Sequence, residues 1–269
     1  MTGVAAAPRQ WRRPPVLIQS RLWRWIIYGG ALIYFLAAFG TLEINWQRVY
    51  EGLDRGARFA QGFLLPDFVT RANDIWRGMV ESVTMTVCST IVGVLISIPI
   101  GLGAARNLAP APVYLLCRSI IAVSRAFQEI VIAILFVAMF GFGPFAGFLT
   151  LSFATIGFLS KLLADDIEEI DESQAEATRA TGATWWQIVN YGIQPQVMPR
   201  LVGLSLYRLD INFRESAVIG IVGAGGIGAT LNTSMQRYDY NTAGAILILI
   251  IILVMLAEYG SSHIRKWVQ

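Results

Sequence analysis

Six mostly apolar stretches, near 25–42, 82–105, 118–140, 145–164, 198–222 and 242–258, constrain this chain more than any other feature. About 20 apolar residues wound as a helix cover the roughly 30 Å of hydrocarbon in a bilayer. Lipid offers no partner to a backbone N–H or C=O, so a segment there must satisfy its own, as a helix does and an open sheet does not. The chain therefore reads as an all-α integral membrane protein with about six transmembrane helices, a single domain over residues 1–269. Composition agrees, since 55% of the residues are hydrophobic and 14% charged, which excludes an ordinary soluble enzyme. The net charge of +3 is small and scattered, and excludes nucleic acid as a partner. Cys88 and Cys117 lie far apart in apolar surroundings and suggest neither a disulfide framework nor a metal site.

Charge at the ends of the stretches sets their direction. Arg9, Arg12, Arg13, Arg21 and Arg24 precede the first stretch, so the positive-inside rule puts residues 1–24 in the cytoplasm. That stretch is too long for a secretory signal and is poorly followed by a cleavage site, so it is expected to remain as a span. Four crossings then return the chain to the cytoplasm just before Asp165, making 165–197 a cytoplasmic loop. Arg106 with residues 109–112 forms a short inner turn, and Arg265 and Lys266 end the chain inside. The outer loop 43–81 carries Trp46, Tyr50, Phe59, Phe63, Phe68 and Trp76, the aromatic content of a helix lying against membrane lipid. The acidic run Asp165, Asp166, Glu168, Glu169, Asp171 and Glu172 reads as a solvated face.

Two stretches carry polar groups that lipid would not tolerate. In the third, Arg118, Arg125, Gln128 and Glu129 share about one helical face, and only 130–140 is continuously apolar. This predicts an interfacial helix that turns into the membrane near Gln128, with Arg125 and Glu129 spaced to pair at i, i+4. In the fifth, Arg208, Asp210, Asn212, Arg214 and Glu215 fall within eight positions. A charge at bilayer depth costs roughly 2.5–3.5 kcal/mol, so four facing lipid would cost roughly 10 kcal/mol. They must face protein or water. At about 100° per residue, Arg208, Asn212 and Glu215 share one face while Asp210 and Arg214 form an i, i+4 pair on the other. One face can line a conduit as the other locks against a neighbour; a purely structural network is the competing reading.

The fifth stretch ends in glycines. Gly223-Ala224-Gly225-Gly226-Ile227-Gly228 satisfies G-x-G-x-x-G, yet no strand precedes it and Ile248 occupies the position where a ribose-binding acid belongs, so it is not a dinucleotide site. Gly223, Gly225, Gly226 and Gly228 instead suggest a hinge or a close helix contact. His263 is the only histidine, and neither a Walker A sequence nor a nucleophile–base set is present, so the chain is not an enzyme, binds no cofactor and cannot hydrolyse ATP alone.

The loop 165–197 holds the sharpest local signal. Ser173-Gln174-Ala175-Glu176 and Thr184-Trp185-Trp186-Gln187 read as capping boxes, with Gly182 as the stop between two helices. A helical knob in water follows. The order Glu176-Ala177-Thr178, then Gly182 and finally Pro195 resembles the EAA loop of ABC-importer permeases, with Thr178 in place of the third small residue and Gly192 and Gln194 where aliphatics are usual. The likeness extends from about residue 79 to the C-terminus. The segments 141–147, 179–183, 195–199, 206–208 and 222–228 look like those of the permease subunit of phosphonate ABC importers.

That resemblance implies a type I importer fold in the bacterial inner membrane, both termini cytoplasmic. Glu176, Ala177, Thr178, Gly182 and Ala183 would form the ATPase-coupling surface, with ATP and Mg held by that partner. Arg208, Asp210, Asn212, Arg214, Glu215, Arg125, Gln128 and Glu129 would line a pathway or gate. It also implies a second permease chain, taken as identical, and an extracytoplasmic phosphonate-binding protein. Phosphate, phosphite or another small oxyanion is the nearest alternative cargo, and a passive anion channel the alternative of another class.

Overall fold

The computed structural model describes residues 20–42 and 45–268, and the side chains of Phe63 and 264–268 are not among those described. The N-terminal Arg9, Arg12 and Arg13 and the side chains of Arg265 and Lys266 therefore lie outside the described residues. The chain divides into two compact units, Met1–Asp54 and Arg55–Gln269. The first contains α1 (Arg21–Gly40) and the start of α2 (Trp46–Leu64). Ser20 caps α1, its hydroxyl accepting the Trp23 N–H at 3.3 Å, and no α1 side chain is buried.

The second unit contains α3 (Ala72–Gly103), α4 (Ala111–Ala126), α5 (Glu129–Phe140), α6 (Pro144–Glu168) and α7 (Glu172–Ala180). It continues through α8 (Trp185–Gln187), a π turn (Ile188–Ile193), α9 (Gln194–Ile221), α10 (Gly226–Gln236) and α11 (Tyr240–Val268). All regular structure among the described residues is helical. Among the described residues five helical segments are long and apolar enough to cross a membrane, and α4 with α5, bent by 94°, makes a sixth if the pair is one span. The span expected at 82 begins earlier, at Ala72, and α10 was not anticipated.

Helix contact in lipid gains little from apolar burial, so small residues and interhelical hydrogen bonds must supply it. α3 does this with Ser82, Thr86, Ser89, Thr90, Gly93, Ser97 and Gly101, all buried along one stripe. α6 answers with Gly147, Thr150, Thr155 and Ser160. Gly93 lies against the Thr155 side chain so closely that any Cβ would collide with it. Ser160 Oγ donates to Ser97 O at 3.3 Å. On the other side of α6, Gly157 sits against Ser124 of α4, whose hydroxyl donates to Phe153 O at 2.8 Å.

α4 and α5 do not form one straight helix. Phe127 and Gln128 are extended, and α5 has 12 residues, about 18 Å, too short to cross alone. The turn at Gln128 is as expected. The Arg125–Glu129 pair is not, because the break removes the i, i+4 spacing it required, and Glu129 faces Arg208 of α9 instead.

The acidic run is also more than a solvated face. Arg118 reaches Asp165 at 3.4 Å and Glu168 at 2.7 Å, Glu168 accepts the Arg106 N–H at 2.8 Å, and Arg200 of α9 lies 3.0 Å from Asp166. These ties join one end of α4, α6 and α9 around buried Leu163, Ile167, Val189 and Ile193. Pro195 stands in the first turn of α9, directly after the π turn. A proline removes one helical N–H and crowds the carbonyl four residues back, and the wider π turn accommodates both effects.

Gly93→Leu is expected to lower the stability of the purified protein by about 1–3 kcal/mol, as overpacking does. Thermal unfolding in detergent checks this. Gly260→Ala, whose added methyl meets nothing within 4 Å inside α11, serves as the control and does not lower the midpoint.

Candidate functional site

α9 brings most of the charged cluster together. Arg208 is 3% exposed and Asn212 wholly buried, although both are strongly polar. Asn212 Nδ2 donates to Thr90 Oγ1 of α3 at 2.8 Å and to Thr155 Oγ1 of α6 at 3.0 Å. Arg208 Nε donates to the same Thr155 oxygen at 3.2 Å, its Nη2 lies 3.3 Å from Glu215 and 3.8 Å from Glu129, and its guanidinium stacks over Phe158 at 5.5 Å. On the opposite face Arg214 Nη2 meets Asp210 Oδ2 at 2.7 Å, with Arg214 half exposed. The two-faced arrangement read from helical angles is present in the geometry.

A cavity of 420 Å³ opens where α4 breaks into α5. Arg125, Gln128, Glu129, Phe158 and Arg208 are on its wall. Gln128 precedes α5 without capping it by its side chain. A buried cation, an exposed cation, an amide and a carboxylate thus face one space.

The second part of the site is the α7 knob. Asp171 caps α7, accepting the Ser173 N–H at 3.0 Å, so the capping box expected at Ser173–Glu176 does not form: the helix starts earlier, at Glu172. That hydrogen bond, made by the Ser173 backbone, holds the Asp171 carboxyl below the usual carboxylate range. The cap is therefore complete above the unfolded carboxyl value of about 3.9 and is lost as pH falls through the lower folded value. The second box is present: the Thr184 N–H donates to Gln187 Oε1 at 2.8 Å.

Glu176 and Ala177 are exposed, while Thr178 and Ala183 are half-buried. Gly182 ends the turn at φ +77°, a conformation costly for other residues. Gly192 explains its own departure from the aliphatic pattern: a Cβ there would lie 3.1 Å from Ala175 Cα, so only glycine lets α7 seat on the π turn without the two backbones moving apart.

The third part lies at the α9–α10 connection, where Gly223, Gly225 and Gly226 have φ of +96°, +79° and +72°. The turn is held from two sides. Gly143 N–H donates to Gly223 O at 3.0 Å, Gly226 N–H to Glu81 Oε2 at 3.2 Å and Ile227 N–H to Ser82 Oγ at 2.9 Å. A Cβ at Gly225 would run into the Pro144 backbone, and one at Gly228 into the Ala217 carbonyl. Arg77 pairs with Glu81 at 3.0 Å beside a 670 Å³ cavity.

Sequence reading missed Thr90 and Thr155, which hold the buried polar groups of α9. Their signal was the run of small and hydroxyl residues at three- and four-residue spacing along α3 and α6. Thr155→Val keeps the shape but removes the oxygen serving both Asn212 and Arg208. It is expected to cost about 1–3 kcal/mol, the penalty for stranding a buried donor. Thr155→Ser recovers most of it, as chemical denaturation would record.

Known proteins share this architecture. Residues 97–262 match the family described as binding-protein-dependent transport system inner membrane component. The chain is 39% identical over 250 residues to the phosphate-import permease protein PhnE of Mycolicibacterium smegmatis, covering 93% of this chain and 47% of that one. It thus spans about half the length of that relative. It is 35% identical over 242 residues to the phosphite transport system permease protein PtxC of Stutzerimonas stutzeri, covering 90% of this chain and 86% of that one. Among solved structures, an inward-facing conformation of the MetNI methionine ABC transporter superposes with a TM-score of 0.61 at 27% identity, covering 74% of this chain and 95% of the other. Helical spans, a broken helix and a capped knob in one chain, with a match over most of its length, place it plainly: the chain belongs to the family of binding-protein-dependent transport system inner membrane components.

Proposed function

We propose that this chain is the transmembrane permease subunit of an ATP-driven ABC importer carrying phosphonate into the cytoplasm, with phosphate, phosphite or another small oxyanion as the alternative cargo. The observation that carries this reading is the guanidinium of Arg208, 3% exposed and facing a cavity at the break between α4 and α5. An anion crossing low dielectric needs a cation and donors on its route, held weakly enough that it can leave again. Relatives named for phosphate and phosphite transport support the same class.

In this reading the chain holds no ATP or Mg itself. Two copies work with two ATPase subunits inside and a phosphonate-binding protein outside, and both termini face the cytoplasm with α7. The α7 knob docks on the ATPase through Glu176, Ala177, Thr178, Gly182 and Ala183. A groove of 380 Å³ beside it, with Thr178, Gly182 and Tyr191 on its walls, offers shape for that contact. The Gly223–Gly228 turn acts as a close packing joint or hinge near the outer end of α9.

Uptake by proteoliposomes containing the permease, its ATPase and its binding protein tests the assignment. Phosphonate uptake should require ATP and be competed by phosphite or phosphate. Flux that persists without ATP would identify a passive channel instead. Gly182→Arg is expected to abolish coupled uptake and ATPase stimulation, because a side chain there adds about 1–2 kcal/mol of left-handed strain and blocks the groove. Normal stimulation and uptake in that variant would remove α7 from the coupling surface.

A further inference from the structure

One guanidinium in the membrane serves two carboxylates. Glu215 stands two turns along the same helix as Arg208 and lies 3.3 Å from Nη2. Glu129 comes from another helix, opening α5 just after the break, and at 3.8 Å it is beyond hydrogen-bonding distance. It also comes within side-chain hydrogen-bonding reach of Glu215, so the two acids meet beside one guanidinium. Nη1 makes no hydrogen bond to protein among the described residues, whereas Nε and Nη2 are engaged.

The charge balance around this cluster is specific. α9 supplies Arg208 and Glu215, α5 supplies Glu129, α4 supplies Arg125 on the cavity wall, and α6 supplies Thr155 and Phe158. Asp210 and Arg214 pair with each other on the far face. An incoming anion therefore meets a guanidinium already compensated by carboxylates. It can approach Nη1 first, but taking Nη2 as well displaces one of them, and the looser is Glu129, which itself lies on the cavity wall. The 420 Å³ of the cavity leaves room for a small oxyanion and several waters, at about 30 Å³ per water.

We propose that Glu129 is a displaceable counter-ion: a tetrahedral oxyanion of the phosphonate, phosphite or phosphate class entering this cavity replaces Glu129 on Arg208, while Glu215 keeps the guanidinium in place. The inference rests on the oxyanion-permease reading above. Competition from Glu129 keeps the site weak, and its return to Arg208 expels the anion. Glu129 thus sets affinity against release.

The test is equilibrium binding of radiolabelled phosphate, with phosphite and methylphosphonate as competitors, to the full chain in nanodiscs without binding protein, alongside uptake by the assembled transporter. Glu129→Gln and Glu129→Ala should each lower the phosphate Kd by about tenfold, near the low end of the effect of one charge about 4 Å away. Uptake turnover should fall in the same variants, so affinity and rate move in opposite directions. Glu129→Asp, which keeps the charge, should return both towards wild type, and Arg208→Gln should lose binding. If neutralising Glu129 leaves the Kd unchanged, or weakens binding as loss of a support for Arg208 would, the counter-ion role is overturned while the permease reading stands. Absence of phosphate binding in every variant while uptake continues also overturns it. Should the assembled wild type carry no oxyanion at all, the permease reading fails with it.

Discussion

Close contact between α3 and α6 is the interaction on which the rest of this structure depends. Lipid chains are as apolar as leucine, so hydrophobic burial cannot hold two helices together in a membrane, and dispersion at short range with interhelical hydrogen bonds must do so. Gly93 against Thr155 and Ser97 against Ser160 bring the backbones within that range. The same closeness puts Thr90 of α3 and Thr155 of α6 side by side, where both accept from Asn212 of α9. A looser helix pair would leave Asn212 and Arg208 without partners at a depth where unsatisfied polar groups are costly.

Polar groups at the site consequently have two duties. Thr155 is a packing residue for Gly93 and a hydrogen-bond acceptor for Arg208, so stability and charge placement cannot be separated at that position. Glu129 and Glu215 compensate the guanidinium, and in doing so leave the cavity with a muted rather than a strong positive field. The α4–α5 break serves this arrangement: it frees Glu129 from α4 and turns it towards α9, and it opens the cavity on whose wall Arg208 lies. At the other end, Arg118, Arg200 and the acidic residues of α6 tie the α7 knob's supporting helices together, which gives a physical route between the knob and α9.

Much of this was legible from the amino acids. Run length and composition alone indicated the spans, because backbone satisfaction in lipid allows little else. The helical angle of about 100° per residue separated Arg208, Asn212 and Glu215 from Asp210 and Arg214, and Gly182 marked the end of α7. Reading failed where a partner lay on another helix. The Arg125–Glu129 pair assumed a continuous helix; the acidic run assumed solvent around Asp166, which is 7% exposed. α10 escaped notice because its 11 residues are too few to cross a membrane and its apolar Ile227, Leu231 and Met235 are diluted by glycine, threonine and serine. The assumed cap at Ser173 failed for a local reason, since Asp171 two residues earlier offers a carboxylate to the same backbone.

What the sequence determined by itself is therefore everything set by one segment and its solvent: helical class, membrane placement, helix stops and the faces on which charges lie. Tertiary structure decided which of those faces meet. Helical spacing put Glu215 on the face of Arg208 and Asp210 on the other, but it could not say which neighbouring helix would bring further partners. Beyond Glu215 on the same helix, the bend at Phe127–Gln128 and the close seating of α3 on α6 add Glu129 and Thr155 as its partners, because pairing between helices at 3–4 Å depends on the three-dimensional path of the backbone rather than on the order of residues along it.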